Sequence, residues 1–164
     1  MKTSLASVLL PIPTPDGLFH ATYSASGLAG LYFPGTPLPS ATLEPSPAHH
    51  HWHKRTAEGV LRVLAGKAAR ALPPLDLAGH TEFHRSVWEL LLRIPAGQTR
   101  SYGELAIELG RPGGARAVGQ ACGRNPIPLL IPCHRVLAAS RRIGGFSGGI
   151  DWKVTLLRRE GILL

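Results

Sequence analysis

Cysteine is the scarcest chemistry-bearing residue in this chain. Only Cys122 and Cys133 occur in 164 residues, too few for a disulfide scaffold or a thiolate-only zinc site, so both read as reduced thiols. Long hydrophobic runs are missing too: none approaches the roughly 18 residues of a membrane span. Pro11, Pro13 and Pro15 interrupt the apolar stretch from Leu5 to Leu10, so neither a membrane anchor nor a signal peptide is expected and the chain reads as cytoplasmic. Acidic residues are few. Ten Asp plus Glu stand against 18 Lys plus Arg, a formal net charge of +8 with a pI near 10.3, which favours a polyanionic partner. Residues 81–164 hold 12 basic and 6 acidic side chains, residues 1–80 only 6 and 4. What is present, 44% hydrophobic against 17% charged residues, makes a globular chain long enough to bury a core.

Eight of the 15 prolines lie between residues 11 and 47, among short β-prone pieces such as Phe19 to Tyr23 and Gly30 to Phe33. A helix is expected from about Arg55 to Leu64, with Val60, Leu61 and Leu64 on its apolar face. Leu72-Pro73-Pro74-Leu75-Asp76 is the best linker, because paired prolines hold the chain extended. Beyond it Phe83, Val87, Leu90, Leu91 and Ile94 recur with a helical period that Pro95 and Gly97 end. Ser101 and Glu104 form a capping box opening a helix through Leu109, and the glycine-rich turn from Gly110 to Gly114 leads into another from Ala115 to Gly123, the pattern of a helix-turn-helix. The region after Val136, with Gly144 to Gly149, reads as a hairpin or wing, and Trp152 to Arg159 as a last helix stopped by Gly161. The expected architecture is α+β, with an N-terminal sheet and helix domain (1–76) and a C-terminal winged helix-turn-helix-like domain (77–164).

The run Ile131-Pro132-Cys133-His134-Arg135-Val136 places a thiol between a proline and a histidine, as a nucleophile on a rigid turn beside a base would be. Taken alone, a Cys-His pair is more often a buried structural cysteine. The surrounding blocks change that balance. Thr99-Arg100-Ser101-Tyr102-Gly103-Glu104-Leu105-Ala106, then Ala115-Arg116-Ala117-Val118-Gly119, then Asn125-Pro126 leading into the cysteine motif, resemble the O6-alkylguanine-DNA alkyltransferases in order from about Phe83 to Gly161, whereas the first 80 residues match weakly.

That resemblance implies direct-reversal repair: an alkyl group passes from O6-alkylguanine, with O4-methylthymine as an open alternative, in duplex DNA to the protein's own Cys133, once per molecule and with no cofactor. It implies a relay of Glu160, His134, a water and Cys133, with Tyr102 near the 3′ phosphate and able to protonate the departing guanine. Asn125 would tie the turn that presents the nucleophile. Ser147 would bond the modified oxygen at the pocket rim, Gly148 would let backbone donors approach the base, and Pro128 would offer a flat wall to aromatic adducts. Gly144 and Gly148 would leave room for them. Phe146 departs from the tyrosine usual before the serine, which keeps a wall but removes a hydroxyl. In the recognition helix Arg116 would fill the space left by an extruded base, the small Ala117 and Gly119 would allow close approach, and Arg124 would add a phosphate contact.

Some members of that family hold zinc in the N-terminal domain, but no cysteine precedes residue 81 here, so His49-His50-His51-Trp52-His53 is read as a solvated loop with no metal. The expected partner is duplex DNA with alkylated bases, met by a monomer that in a bacterium would associate with the nucleoid. Two rivals stand beside this reading. A non-catalytic lesion binder would lack the cysteine, and an alkylation-sensing regulator would carry an additional effector domain.

Overall fold

The computed structural model describes residues 7–164; the start of the apolar stretch weighed as a leader, Leu5 and Ala6, lies outside them. Three strands, β1 (Val8–Thr14), β2 (Gly17–Tyr23) and β3 (Leu28–Tyr32), form an antiparallel sheet in the order β1-β2-β3. Strand β1 spans the prolines that interrupt the N-terminal apolar stretch. Pro11 and Pro13 sit on an edge strand two residues apart, so their missing N–H groups both face away from β2, where proline costs the ladder nothing. The Pro11 carbonyl on that open side accepts a hydrogen bond from His53 Nε2 (2.8 Å).

Helix α1 (Pro47–Leu64) begins well before the expected Arg55, because Ser46 caps it and Pro47 suits its first turn. The histidine cluster is therefore helical, not a loop. His49 closes the capping box, accepting the Ser46 N–H at Nδ1 (3.0 Å) and donating from Nε2 to the Ser24 carbonyl (2.9 Å). His53, which donates to Pro11, accepts the Tyr23 hydroxyl at Nδ1 (2.8 Å), and burial draws its pKa down so that it stays neutral. Both rings are structural pins between helix and sheet. His80 and His84 pack against Trp88, with centroids 4.9 and 5.7 Å from its ring. Among the described residues no group of three or more His, Cys, Asp or Glu side chains is arranged to hold a metal ion.

The second half comprises α2 (Glu82–Leu92), the short β4 (Arg100–Ser101), α3 (Tyr102–Glu108), α4 (Ala115–Gly123), β5 (Val136–Leu137) and α5 (Ile150–Arg159). The Ser101–Glu104 capping box forms as expected, and α4 has the expected bounds. Strands β4 and β5 pair in parallel, tying the start of the helix-turn-helix to the chain just after Cys133. After Val136 the chain makes a tight reverse turn closed by the Ala138 N–H on the Arg142 carbonyl (2.8 Å), and Gly144 to Gly149 beyond it contains no strand.

The proline linker is strapped down: Leu28 N–H donates to the Pro74 carbonyl and Asp76 N–H to the Leu28 carbonyl (both 2.8 Å). Across it, one continuous core joins the halves, from Ile12, Phe19 and Val60 to Trp88, Val118 and Leu156. Phe33 packs on both Trp152 (5.1 Å) and Phe146 (5.7 Å), so the N-terminal sheet buttresses the loop beside Cys133. Arg159 meets Asp16 in a paired contact at 2.7 and 2.8 Å. No helix among the described residues is long and apolar enough to cross a membrane.

Candidate active site

Cys133 opens a single 3-10 turn, Cys133–Arg135, at the floor of a cavity of about 1030 Å³ between α3, α4 and the loop after β5. Its presentation depends on Asn125. The buried amide donates from Nδ2 to the Ile131 carbonyl (2.8 Å) and accepts the Ile127 N–H at Oδ1 (2.9 Å). This pins both ends of a tight loop in which Leu129 is forced to φ +72°, a left-handed conformation that a branched side chain adopts only when its surroundings enforce it. The loop ends where Cys133 N–H bonds the Ile131 carbonyl (2.8 Å).

Cys133 is only 3% exposed. Burial pushes its pKa up to about 11, against the pull of the Asn125 side chain and the Lys153 charge. At neutral pH only about one Cys133 in 10⁴ is therefore ionised at rest, a deficit on the order of 5 kcal/mol that a base must offset. His134 follows Cys133 on the same turn. It is fully buried and kept neutral, because burial depresses its pKa more than Glu160 raises it. Nε2 faces Glu160 Oε1 at 3.1 Å, so Nε2 carries the hydrogen and Nδ1 is left as the acceptor. Nδ1 is buried and has no partner among the described residues.

Glu160 caps α5, and its carboxylate is wholly enclosed. Burial alone would raise its pKa, but hydrogen bonds and charge from His134 and Arg135 bring it to about 2. Since His134 is neutral, the charge partner that counts is Arg135. Its Nε and Nη2 both reach the carboxylate, at 3.0 and 2.7 Å to Oε1, while Nη1 donates to the Ile94 carbonyl (2.7 Å). Arg135 gave no sign in sequence beyond standing next to the histidine.

Lys153 carries a signal legible in sequence, since it lies on the stripe of α5 shared with Leu156 and Leu157, where a lysine must be buried. Its ammonium donates to the Val136 carbonyl (2.6 Å) and the Gly145 carbonyl (3.1 Å), and burial lowers its pKa to about 8. It thereby ties β5 to the glycine loop under Tyr102, whose ring centroid is 5.9 Å away. Tyr102 and Cys122 both line the cavity with Cys133, and burial raises both their pKa values to about 12; neither cysteine is in a disulfide.

Of the DNA-binding candidates, exposed Arg116 and small Gly119 line the cavity from α4, whereas Ala117 and the exposed Arg124, at the C-cap of α4, do not. Ser147 and Phe146 line it from the glycine loop. Pro128 does not. It is buried against a separate cavity of about 240 Å³ that also touches Asn125 and Ser147. Gly148 leaves no free space either: a Cβ there would stand 2.8 Å from a Phe33 ring carbon and 2.9 Å from a Phe146 ring carbon. A Cβ at Gly144, itself at φ +68°, would stand 3.1 Å from the Tyr102 hydroxyl. These two glycines let aromatic rings close in; they do not hold a pocket open.

Residues 82–162 match the family model described as 6-O-methylguanine DNA methyltransferase, DNA binding domain. The methylated-DNA–protein-cysteine methyltransferase of Mycobacterium leprae is 53% identical over 97 residues, 59% of this chain and 58% of that protein. That of Mycolicibacterium paratuberculosis is 47% identical over 123 residues, covering 73% of this chain and 74% of the relative. Among solved structures, Mycobacterium tuberculosis OGT in complex with DNA superposes with a TM-score of 0.76 at 38% identity, over 93% of this chain and 91% of that one.

Proposed function

Because the chain belongs to the methylated-DNA–protein-cysteine methyltransferase family, we propose that Cys133 is its alkyl acceptor and O6-alkylguanine in duplex DNA its substrate. The overall reaction is direct-reversal repair, transfer of an alkyl group from DNA to a cysteine of the protein. The observation that carries the assignment is the buried Glu160–His134 pair, which leaves Nδ1 as a free acceptor one residue from a thiol that cannot ionise unaided.

The reaction begins when the Cys133 proton passes, through a bridging water, to His134 Nδ1, while Glu160 fixes the ring and stabilises the imidazolium. The thiolate attacks the alkyl carbon in line with the C–O6 bond, which breaks with its electron pair going to the guanine. Tyr102, protonated because burial raises its pKa, gives its hydrogen to the guanine anion, and the resulting phenolate recovers the proton held by His134. The Tyr102 hydrogen thus ends on guanine, the thiol hydrogen replaces it on Tyr102, and the alkyl carbon ends on sulfur. The thioether has no route back, so each molecule acts once.

A thiol at the floor of a cavity cannot reach a base stacked in a duplex, so the target nucleotide is extruded, with Arg116 on exposed α4 filling the gap. Ser147 bonds the modified oxygen, and Asn125 holds the nucleophile's turn. Duplex DNA with alkylated bases is the partner of a monomer. The need for a reduced Cys133 fits the cytoplasm, close to the chromosome. Intact-mass measurement after incubation with O6-methylguanine duplex is the test: one added methyl group, mapped to Cys133 and not Cys122, is expected. Methylation elsewhere, or uptake by Cys133→Ala, refutes the assignment.

A further inference from the structure

We propose that Arg142 is a phosphate-binding residue of this site, holding the backbone of the DNA strand that carries the damaged base. The inference rests on the repair reading above and adds a contact that the sequence motifs do not contain. Arg142 is exposed and lines the same cavity that has the nearly inaccessible Cys133 at its floor. A base that reaches the floor leaves its sugar and phosphates at the rim, so a rim cation meets a phosphodiester. Arg116 lines the cavity from α4 and Arg142 from the loop after β5, so the two cations come from different elements.

The guanidinium is held ready for such a contact. Its Nε donates to the Ala139 carbonyl (3.3 Å), and among the described residues neither terminal nitrogen has a hydrogen-bond partner. Two such donors match the bidentate geometry of a phosphate. The neighbouring Arg141 is turned to another task, donating from Nη2 to the Leu163 carbonyl (3.3 Å).

The backbone supports the same reading. Ala138 N–H bonds the Arg142 carbonyl (2.8 Å), closing a five-residue loop in which Ser140 and Arg141 both take left-handed conformations, at φ +57° and +58°. Two adjacent non-glycine residues in that region are unfavourable, and such conformations gather at ligand clamps. Here they lift the chain out and back so that residue 142 returns to the cavity.

The test is equilibrium binding of the full-length protein, with Cys133→Ala in every arm so that no alkyl group is transferred, to duplex DNA carrying O6-methylguanine across a salt series. Arg142→Ala should weaken binding several-fold at low salt and reduce the slope of log affinity against log salt by about 0.9, the contribution of one phosphate contact. Arg142→Lys should recover most of the slope, and Lys54→Ala, an exposed cation on α1 that does not line the cavity, should keep the values of Cys133→Ala alone. In single-turnover repair, Arg142→Ala should raise the DNA concentration needed for half-maximal rate more than it lowers the rate at saturation. A slope unchanged in Arg142→Ala, or an equal loss in Lys54→Ala, overturns the assignment. Wild-type protein that takes no methyl group on Cys133 overturns the repair reading instead, while the slope measurement still decides Arg142.

Discussion

Replacing Glu160 by Gln removes the charge at the centre of the site while keeping its shape, and the consequences can be worked out before the experiment. The enclosed carboxylate is brought from its ordinary 4.5 to about 2, a depression equivalent to about 3 kcal/mol of preferential stabilisation of the folded, ionised form. This is an upper figure, because His134 is neutral and its share of the attraction is that of a hydrogen bond, leaving Arg135 as the ion partner. A depressed pKa contributes stability that is complete above 4.5 and is lost as the pH falls from there toward 2. At pH 7, Glu160→Gln should therefore lose up to about 3 kcal/mol, a fall of roughly 6–12 °C in Tm for a chain of this size, since Arg135 is left charged and buried without its counter-ion. Urea unfolding of both proteins from about pH 7 to about pH 3 reads the result. The gap should narrow by about half by pH 3, as Glu160 takes up a proton in the unfolded wild-type chain while it stays largely ionised in the fold. Glu160 raises the His134 pKa, so the variant bears the larger His134 acid penalty and the narrowing is smaller than Glu160 alone would give. A gap that stays constant with pH would show that packing, not charge, holds Glu160 in place. The same variant should lose repair by more than its folded fraction accounts for, because His134 then loses the partner that fixes its tautomer.

Arg116→Ala should slow methyl transfer from duplex DNA by more than tenfold while changing the reaction with free O6-benzylguanine little, measured by single-turnover quench; equal losses would reject a role in extrusion. Gly148→Ala should destabilise the protein by about 1–3 kcal/mol in thermal unfolding, because its Cβ would overlap the Phe33 and Phe146 rings, and a neutral effect would show that those rings can give way. Pro128→Ala should leave the ratio of benzyl to methyl transfer unchanged, since its ring lines the other cavity; selective loss of benzyl transfer would return Pro128 to the substrate wall.

The C-terminal half was legible because its signals are local. A Ser-x-x-Glu box, a glycine turn and a helical apolar period each depend on residues within a few positions, and α2, α3 and α4 form where those signals lie. The N-terminal half misled for the opposite reason. Pro11 and Pro13 exclude a central strand but not an edge strand, and only the pairing with β2 decides which is present. The histidines likewise look like surface polar residues until Ser24, Tyr23 and Pro11, all distant in sequence, supply their partners. At the site, Cys133, His134 and Glu160 followed from motif and resemblance. Arg135 and Arg142 have no local signature, and nothing in the sequence announces that Pro128 lines the other cavity.

On the proposed assignment, the burial of Cys133 suits a protein that reacts once. An exposed, low-pKa thiol would be consumed by any soluble electrophile or oxidant. With the pKa held near 11 and the residue 3% exposed, the proposed relay withholds nucleophilicity until something occupies the cavity and His134 takes the proton. Lys153 favours the thiolate from a position where it cannot itself reach solvent as a free cation, bonded to the Val136 and Gly145 carbonyls. The glycine loop that encloses the substrate and the charge that steadies the nucleophile are thus held by one side chain, so disturbing the loop disturbs the thiol's electrostatics as well. Selectivity then resides in access: the thiol meets the electrophile that the cavity admits, and the energetic penalty of keeping it protonated at rest is met only in the complex that needs it ionised.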